Sequence, residues 1–125
     1  MHVRPYTFLD YPTVKEWADK RSYPLFPTGC LSQTGLIIDG YCAGFLFRTD
    51  TNMCWLGPII SNPESDTDDR HRAIDLLLSE FVNLAKELKF EYIFASLVSK
   101  SLIERHKDAG FIVTDENVTH LLRRL

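Results

Sequence analysis

The period of the apolar positions changes along the chain, and each change marks an element. Residues 2–7 (HVRPYT) predict a short strand. Asp10 follows as a helix cap, with Pro12 in the first turn, where a missing N–H costs nothing. Thr13 to Arg21 predicts the helix, with Val14, Trp17 and Ala18 on one side. Ser22 to Gln33 carries two prolines and a glycine and predicts a loop. The chain then turns β-branched. Thr34 to Asp39 and Tyr41 to Arg48 predict two strands joined at Gly40, where a tight hairpin ends. Met53 to Ser61 predicts a third strand, broken by Gly57-Pro58 because proline cannot donate to a ladder. After a polar connector, 62–69, the spacing of Ile74, Leu77, Leu78, Phe81, Leu84, Ala85 and Leu88 predicts a long helix over 68–88. Glu91 to Val98 predicts a strand and Ser101 to Asp108 a short helix, ended by Gly110. Phe111 to Thr114 and Val118 to Arg124 predict two last strands around a DEN turn.

The predicted order is β-α-βββ-α-β-α-ββ, an α/β (α+β) pattern of a mixed sheet with helices on both faces. The segment 53–98 predicts a crossover between parallel strands. No repeat or linker divides the chain, so residues 1–125 read as one domain.

Composition narrows the function classes. At 45% apolar and 25% charged residues the chain reads as a folded domain, not a disordered or low-complexity one. No run of about 18 apolar residues suggests a membrane span, and the first residues lack the apolar core of a signal peptide. The net charge of −3 argues against nucleic acid as a partner, which needs a basic face. Cys30, Cys42 and Cys54 lie twelve residues apart, without the spacing of a zinc site or redox dithiol, so reduced thiols in a cytoplasm are expected. The four histidines give no metal spacing either.

With these elements in place, the chain resembles the GCN5-related N-acetyltransferases (GNAT). VRPYTFLD resembles that superfamily's first strand and turn. GLIIDGYCAGFLFR resembles its second and third strands, and WLGPIISNP its fourth. RHRAIDLLLSEFVNLAKELKF resembles the helix behind the acetyl-coenzyme A loop, and SLIERHKDAGF the closing helix with its glycine-phenylalanine end. The narrower likeness is to short acetyltransferase-like proteins of tailed phages, which would place the chain in a host cytoplasm. The resemblance implies the splayed acyl-CoA N-acyltransferase fold and acetyl-coenzyme A as cofactor. It implies an oxyanion donor from the backbone of Ile59, Ile60 and Ser61. It also implies diphosphate contacts from the stretch Arg70, His71, Arg72 and Ala73.

That stretch departs from the superfamily's Q/R-x-x-G-x-G/A loop. Its glycine positions hold Ala73 and Asp75, and Glu64, Asp66, Asp68 and Asp69 crowd the connector. The acids have a second meaning, since carboxylates in a helix's first turn stabilise its N-terminus. Arg70 and Arg72 either meet phosphate or pair with those same acids. His106 matches the position of the tyrosine that often protonates the leaving thiolate. It is otherwise a half-exposed histidine between Arg105 and Lys107. Tyr41, Phe45, Phe47 and Trp55 read as core. The loop with Tyr23, Leu25 and Phe26 is where a substrate or partner would dock. Two functions follow: an N-acetyltransferase acting on an amine of a protein or small molecule, slightly favoured, and a non-catalytic GNAT-like protein that binds a partner protein. A dimer through the C-terminal strands fits either.

Overall fold

The computed structural model describes residues 1–125. It contains β1 (Val3–Pro5), α1 (Tyr11–Lys20), β2 (Gly35–Ile38), β3 (Cys42–Phe47), β4 (Met53–Leu56), β5 (Ile60–Ser61), α2 (Thr67–Glu87), β6 (Tyr92–Ala95) and α3 (Lys100–Asp108). The strands form one mixed sheet in the order β1-β2-β3-β4-β6, with β5 also pairing β3. All neighbours are antiparallel except β4 and β6, which run parallel across the α2 crossover.

β3 is buried from Cys42 to Leu46 because both of its faces are covered. On one face lie α1 and the loop behind it: Val14, Trp17, Ala18 and Leu25 close over Ile37, Ala43 and Ile60. On the other, Ala73, Ile74, Leu77, Leu78, Phe81 and Ala85 of α2 pack on Ile38, Cys42, Leu46, Cys54 and Leu56. Each large side chain removed from water there contributes roughly 1.5–3 kcal/mol. Gly44 lets the two layers meet, since a Cβ at that position would lie 2.8 Å from the Phe81 ring. Arg4 ties β1 to both the first turn and the β2 hairpin, bonding Asp10 at 2.7 Å and Asp39 at 2.6 Å.

The predicted break at Gly57-Pro58 is a β-bulge. Leu46 faces Leu56 and Ala43 faces Ile60, so two residues of β3 oppose the three residues 57–59. The extra residue shifts the alternation by one, so that Ile59 joins Leu56 on the α2 side and Ile60 faces the α1 side.

The C-terminal segment corrects the sequence reading. Residues 112–125 form no strand, and neither Phe111–Thr114 nor Val118–Arg124 pairs with the sheet. β6 is therefore an edge. The aromatic set also divides: Phe45 is fully buried, Tyr41 sits at the turn and packs on the α2 layer, and Trp55 is exposed. Phe47 faces Trp55, which stacks edge-on against Phe94. All three cysteines are free, Cys42 and Cys54 buried and Cys30 exposed. Burial pushes the Cys42 thiol up to about 12, leaving it an inert apolar side chain. No helix is long and apolar enough to cross a membrane.

Candidate functional site

The bulge and the crossover together open a gap in the sheet. Parallel pairing of β4 and β6 ends at Leu56 and Ala95. Beyond it one chain turns through the bulge into β5, which pairs β3, and the other leaves as residues 96–99. The amides of Ile59, Ser96, Leu97 and Val98 make no backbone hydrogen bond. Ile59 and Ile60 are nearly fully buried, and Ser61 is 8% exposed. The Ser61 carbonyl accepts a bond from Arg21 Nε at 2.8 Å, which fastens the end of α1 to β5. Arg21's pKa is lowered, first by burial and then by the nearby Arg70. Nothing in the sequence pattern singled out Arg21, because its partner is a backbone carbonyl forty residues away.

Between β5 and α2 the connector is wired to itself. Asn62 receives the Glu64 amide on its side-chain oxygen at 3.0 Å and the Ser65 hydroxyl on its carbonyl at 2.7 Å. Its own side-chain amide donates to the Gly40 carbonyl at 3.0 Å, anchoring the connector to the hairpin. α2 then begins at Thr67, with Asp66 as its cap: the carboxylate accepts the Asp69 amide at 3.0 Å. Asp68 and Asp69 fill the first turn, as the helix-stabilising reading of these acids expected.

The stretch 70–75 is helix interior, as the apolar spacing predicts, and not the loop that the resemblance implies. The Arg70 amide already donates to the Asp66 carbonyl at 2.8 Å, the first bond of the ladder. The amides of His71, Arg72 and Ala73 belong to the same ladder, and Ala73 is a fully buried core residue. The arginines have protein partners. Arg70 donates to the Ser65 carbonyl at 2.9 Å and lies near those of Asn62 and Pro63. Arg72 pairs with Asp69 on the surface, a contact worth at most about 1 kcal/mol. Asp75 does not face a loop mouth; it pairs at 3.0 Å with Arg105 of α3.

Acetyl-coenzyme A, which the fold implies, does not fit this helix start. An anion needs free amides there. Those of Glu64, Ser65, Asp69 and Arg70 are bonded within the protein. The amides of Asp66, Thr67 and Asp68 remain unbonded, in a turn that carries the carboxylates of Asp66, Asp68 and Asp69.

His106 differs from both sequence readings. It is 2% exposed. Its Nδ1 lies 2.7 Å from the Leu102 carbonyl oxygen, which only accepts, so Nδ1 carries the proton. Nε2 is buried without a partner. Burial lowers the imidazole's pKa, opposed in part by the bond to Leu102. The ring is thus neutral near pH 7, with a lone pair and no proton at its second nitrogen. A group that protonates a leaving thiolate must donate. His106 instead packs edge-on against Phe111, and the Phe111 amide donates to its carbonyl at 3.0 Å. With Gly110 left-handed at φ +96, this is the helix-stop motif whose apolar contact joins these two positions.

Of the docking-loop residues, Leu25 is buried in the α1 layer, while Tyr23 and Phe26 are exposed. The α1 layer does not reach β4 and β6, where Met53, Trp55 and Tyr92 are 44%, 42% and 63% exposed. No group of histidine, cysteine or carboxylate side chains has the placement of a metal site.

Comparison with solved structures gives the fold. A probable acetyltransferase matches with a TM-score of 0.67 at 14% identity, covering 100% of this chain and 99% of its own. A protein of Thermus thermophilus matches at 0.71 and 16%, covering 100% and 98%. A transcriptional regulator from Bacillus halodurans matches at 0.64 and 12%, covering 97% and 99%. No protein-family model matches the sequence, and no curated protein matches it either. The chain has a GNAT-like fold.

Proposed function

We propose that the chain is a non-catalytic GNAT-fold protein that acts by binding a partner protein. The observation that carries this reading is the early, capped start of α2. A diphosphate at that helix would displace the Asp66 cap, at about 1 kcal/mol. It would also meet Asp66, Asp68 and Asp69, at on the order of 1 kcal/mol each at exposed spacing. The total, about 4 kcal/mol, weakens binding close to a thousandfold and moves a micromolar site to the millimolar range. His106, neutral and buried, adds no proton donor. The apolar surface left for a partner is the Tyr23–Phe26 loop and the uncovered sheet around Trp55 and Tyr92. The likeness to tailed-phage proteins extends the proposal to a host protein as that partner.

One observation favours the second reading, acetyl transfer to an amine of a protein or small molecule. The strands still part after Leu56, and the Ile59 amide makes no backbone hydrogen bond, which supports it as a donor to a developing oxyanion.

Calorimetric titration of the full chain with acetyl-coenzyme A separates the two. The proposal expects no saturable heat and no thermal shift below about 1 mM ligand, the weakened affinity derived above. Micromolar binding, with thiol release when an amine acceptor is added, would replace it with the second reading.

A further inference from the structure

The loop before β2 and the end of β3 enclose a cleft of about 690 Å³. That lies within the roughly 300–1,000 Å³ of pockets that hold small ligands. Residues 29–34 form one wall, and Phe47 and Arg48 form the other. Phe47 shares its side of β3 with Ala43 and Phe45, so the cleft opens on the α1 face of the sheet. No residue of the parted strands or of the α2 start lines it.

The walls are fixed in place. The Ser32 hydroxyl donates to the Leu46 carbonyl and accepts the Thr34 amide at 3.1 Å. The Leu46 amide donates back to the Thr34 carbonyl at 2.8 Å. The Thr34 hydroxyl in turn accepts Arg48 Nε at 3.1 Å. This last bond orients the guanidinium and leaves Nη1 and Nη2 without a protein partner. Arg4, Arg72 and Arg105 each pair with a carboxylate, whereas Arg48 pairs with none. The amides of Ser32 and Gln33 make no backbone hydrogen bond either. No carboxylate lines the cleft, in a chain whose net charge is −3.

The cleft is therefore rich in donors. The free edge of a guanidinium, with two parallel N–H groups, matches the two oxygens of a carboxylate. One cation balances one negative charge, while a phosphate dianion would stay half neutralised. Leu31 and Phe47 supply apolar surface beside the guanidinium. An ordinary surface arginine keeps its head in water and marks no site. Arg48 differs because Thr34 holds it at the edge of a cleft. We infer that this cleft is a binding site for a carboxylate attached to an apolar group, with Arg48 as the anion contact and Leu31 and Phe47 against the apolar body. A small organic acid and a protein C-terminus present the same chemistry. The site lies apart from the α2 start, so it goes beyond the partner-binding reading and does not rest on it.

Cys30 stands at the cleft and is the one exposed thiol, since Cys42 and Cys54 are buried. Its alkylation by iodoacetamide on the full chain therefore reads occupancy. The probes are N-acetylphenylalanine and its amide, which differ only in the carboxylate. The acid should bind at about millimolar strength, the scale of a fragment of this size. At about ten times its Kd it should slow Cys30 alkylation by about tenfold. The amide should bind at least about tenfold more weakly, for the lost charge-assisted bonds. Arg48→Gln should weaken the acid by at least about the same factor, and Arg48→Lys, which keeps the charge without the fork, should recover part of it. Equal binding of acid and amide, binding unchanged in Arg48→Gln, or no protection of Cys30 at about 10 mM acid, ten times the expected Kd, each overturns the inference. A longer peptide ending in phenylalanine distinguishes the sources. Tighter binding than the single residue assigns the site to a protein C-terminus, and equal or weaker binding assigns it to a small acid. No readout uses acetyl-coenzyme A or a protein partner, so the cleft and the partner-binding reading stand or fall separately.

Discussion

His106 shows how much a single side chain's surroundings decide. Its position matches that of a proton donor, while its hydrogen bond and burial make it a neutral acceptor inside the last turn of α3. Because its folded pKa is held below the ordinary 6.5, the unfolded chain takes up the proton first as the pH falls. Its contribution is therefore complete above about pH 6.5 and is lost progressively below it, at up to about 1.4 kcal/mol per pH unit. Urea unfolding at pH 7 and pH 5 should show this loss in the wild type. His106→Leu should be weaker at pH 7 by about 1–2 kcal/mol, for the lost bond to Leu102, yet flatter between the two pH values. An identical pH slope in both proteins would contradict the buried, neutral assignment. The sequence could place His106 opposite a glycine-phenylalanine end. It could not reveal that the ring faces Phe111, because a rotation by one residue, about 100°, decides between core and surface on a short helix.

At the scale of elements, periodicity predicted the helices and the first five strands well, the fourth of which, Met53 to Ser61, divides into β4 and β5, since burial on one or two faces leaves a regular trace. Helix ends were legible to within two residues, but the motifs that close them were less so. Both α2 and α3 close with the same motif. In α2 the Phe90 amide donates to Ala85 and the Lys89 amide to Lys86, which forces Lys89 left-handed at φ +70. In α3 the equivalent residue is Gly110, and only that one announced itself. A side chain in this conformation costs roughly 1 kcal/mol that glycine avoids. Lys89→Gly should therefore raise stability by about 1 kcal/mol, read as a higher urea midpoint at unchanged m. A destabilised variant would mean that the Lys89 side chain holds more than its exposed position suggests. The start of α2 was legible to within one residue, at Thr67 against a predicted 68. Ala73 and Asp75 already signalled missing loop glycines, but the cap itself, Asp66 accepting the Asp69 amide, is visible only in three dimensions. The last two strands were misread for a related reason: composition marks a segment able to pair, and pairing needs an edge within reach.

The whole molecule is a GNAT-like sheet with one face fully covered by α2 and α3 and the other half covered by α1. The layers were legible in the sequence. The region before and into α2, from the bulge at Gly57-Pro58 onward, was legible as secondary structure. Its state was not, because Arg70 and Asn62 spend their hydrogen bonds on backbone carbonyls and amides that no residue spacing encodes. The strands part after Leu56, while Asp66 and Arg70 bond the start of α2 and the connector before it. An amide-resolved NMR titration of the full chain with acetyl-coenzyme A reads that claim directly. With Asp66 capping α2, the amides of residues 64–70 should keep their positions up to millimolar ligand, on the order of the weakened affinity derived above. Saturable shifts of those amides together with Ile59, at micromolar ligand, would contradict the account and return the chain to acetyl transfer.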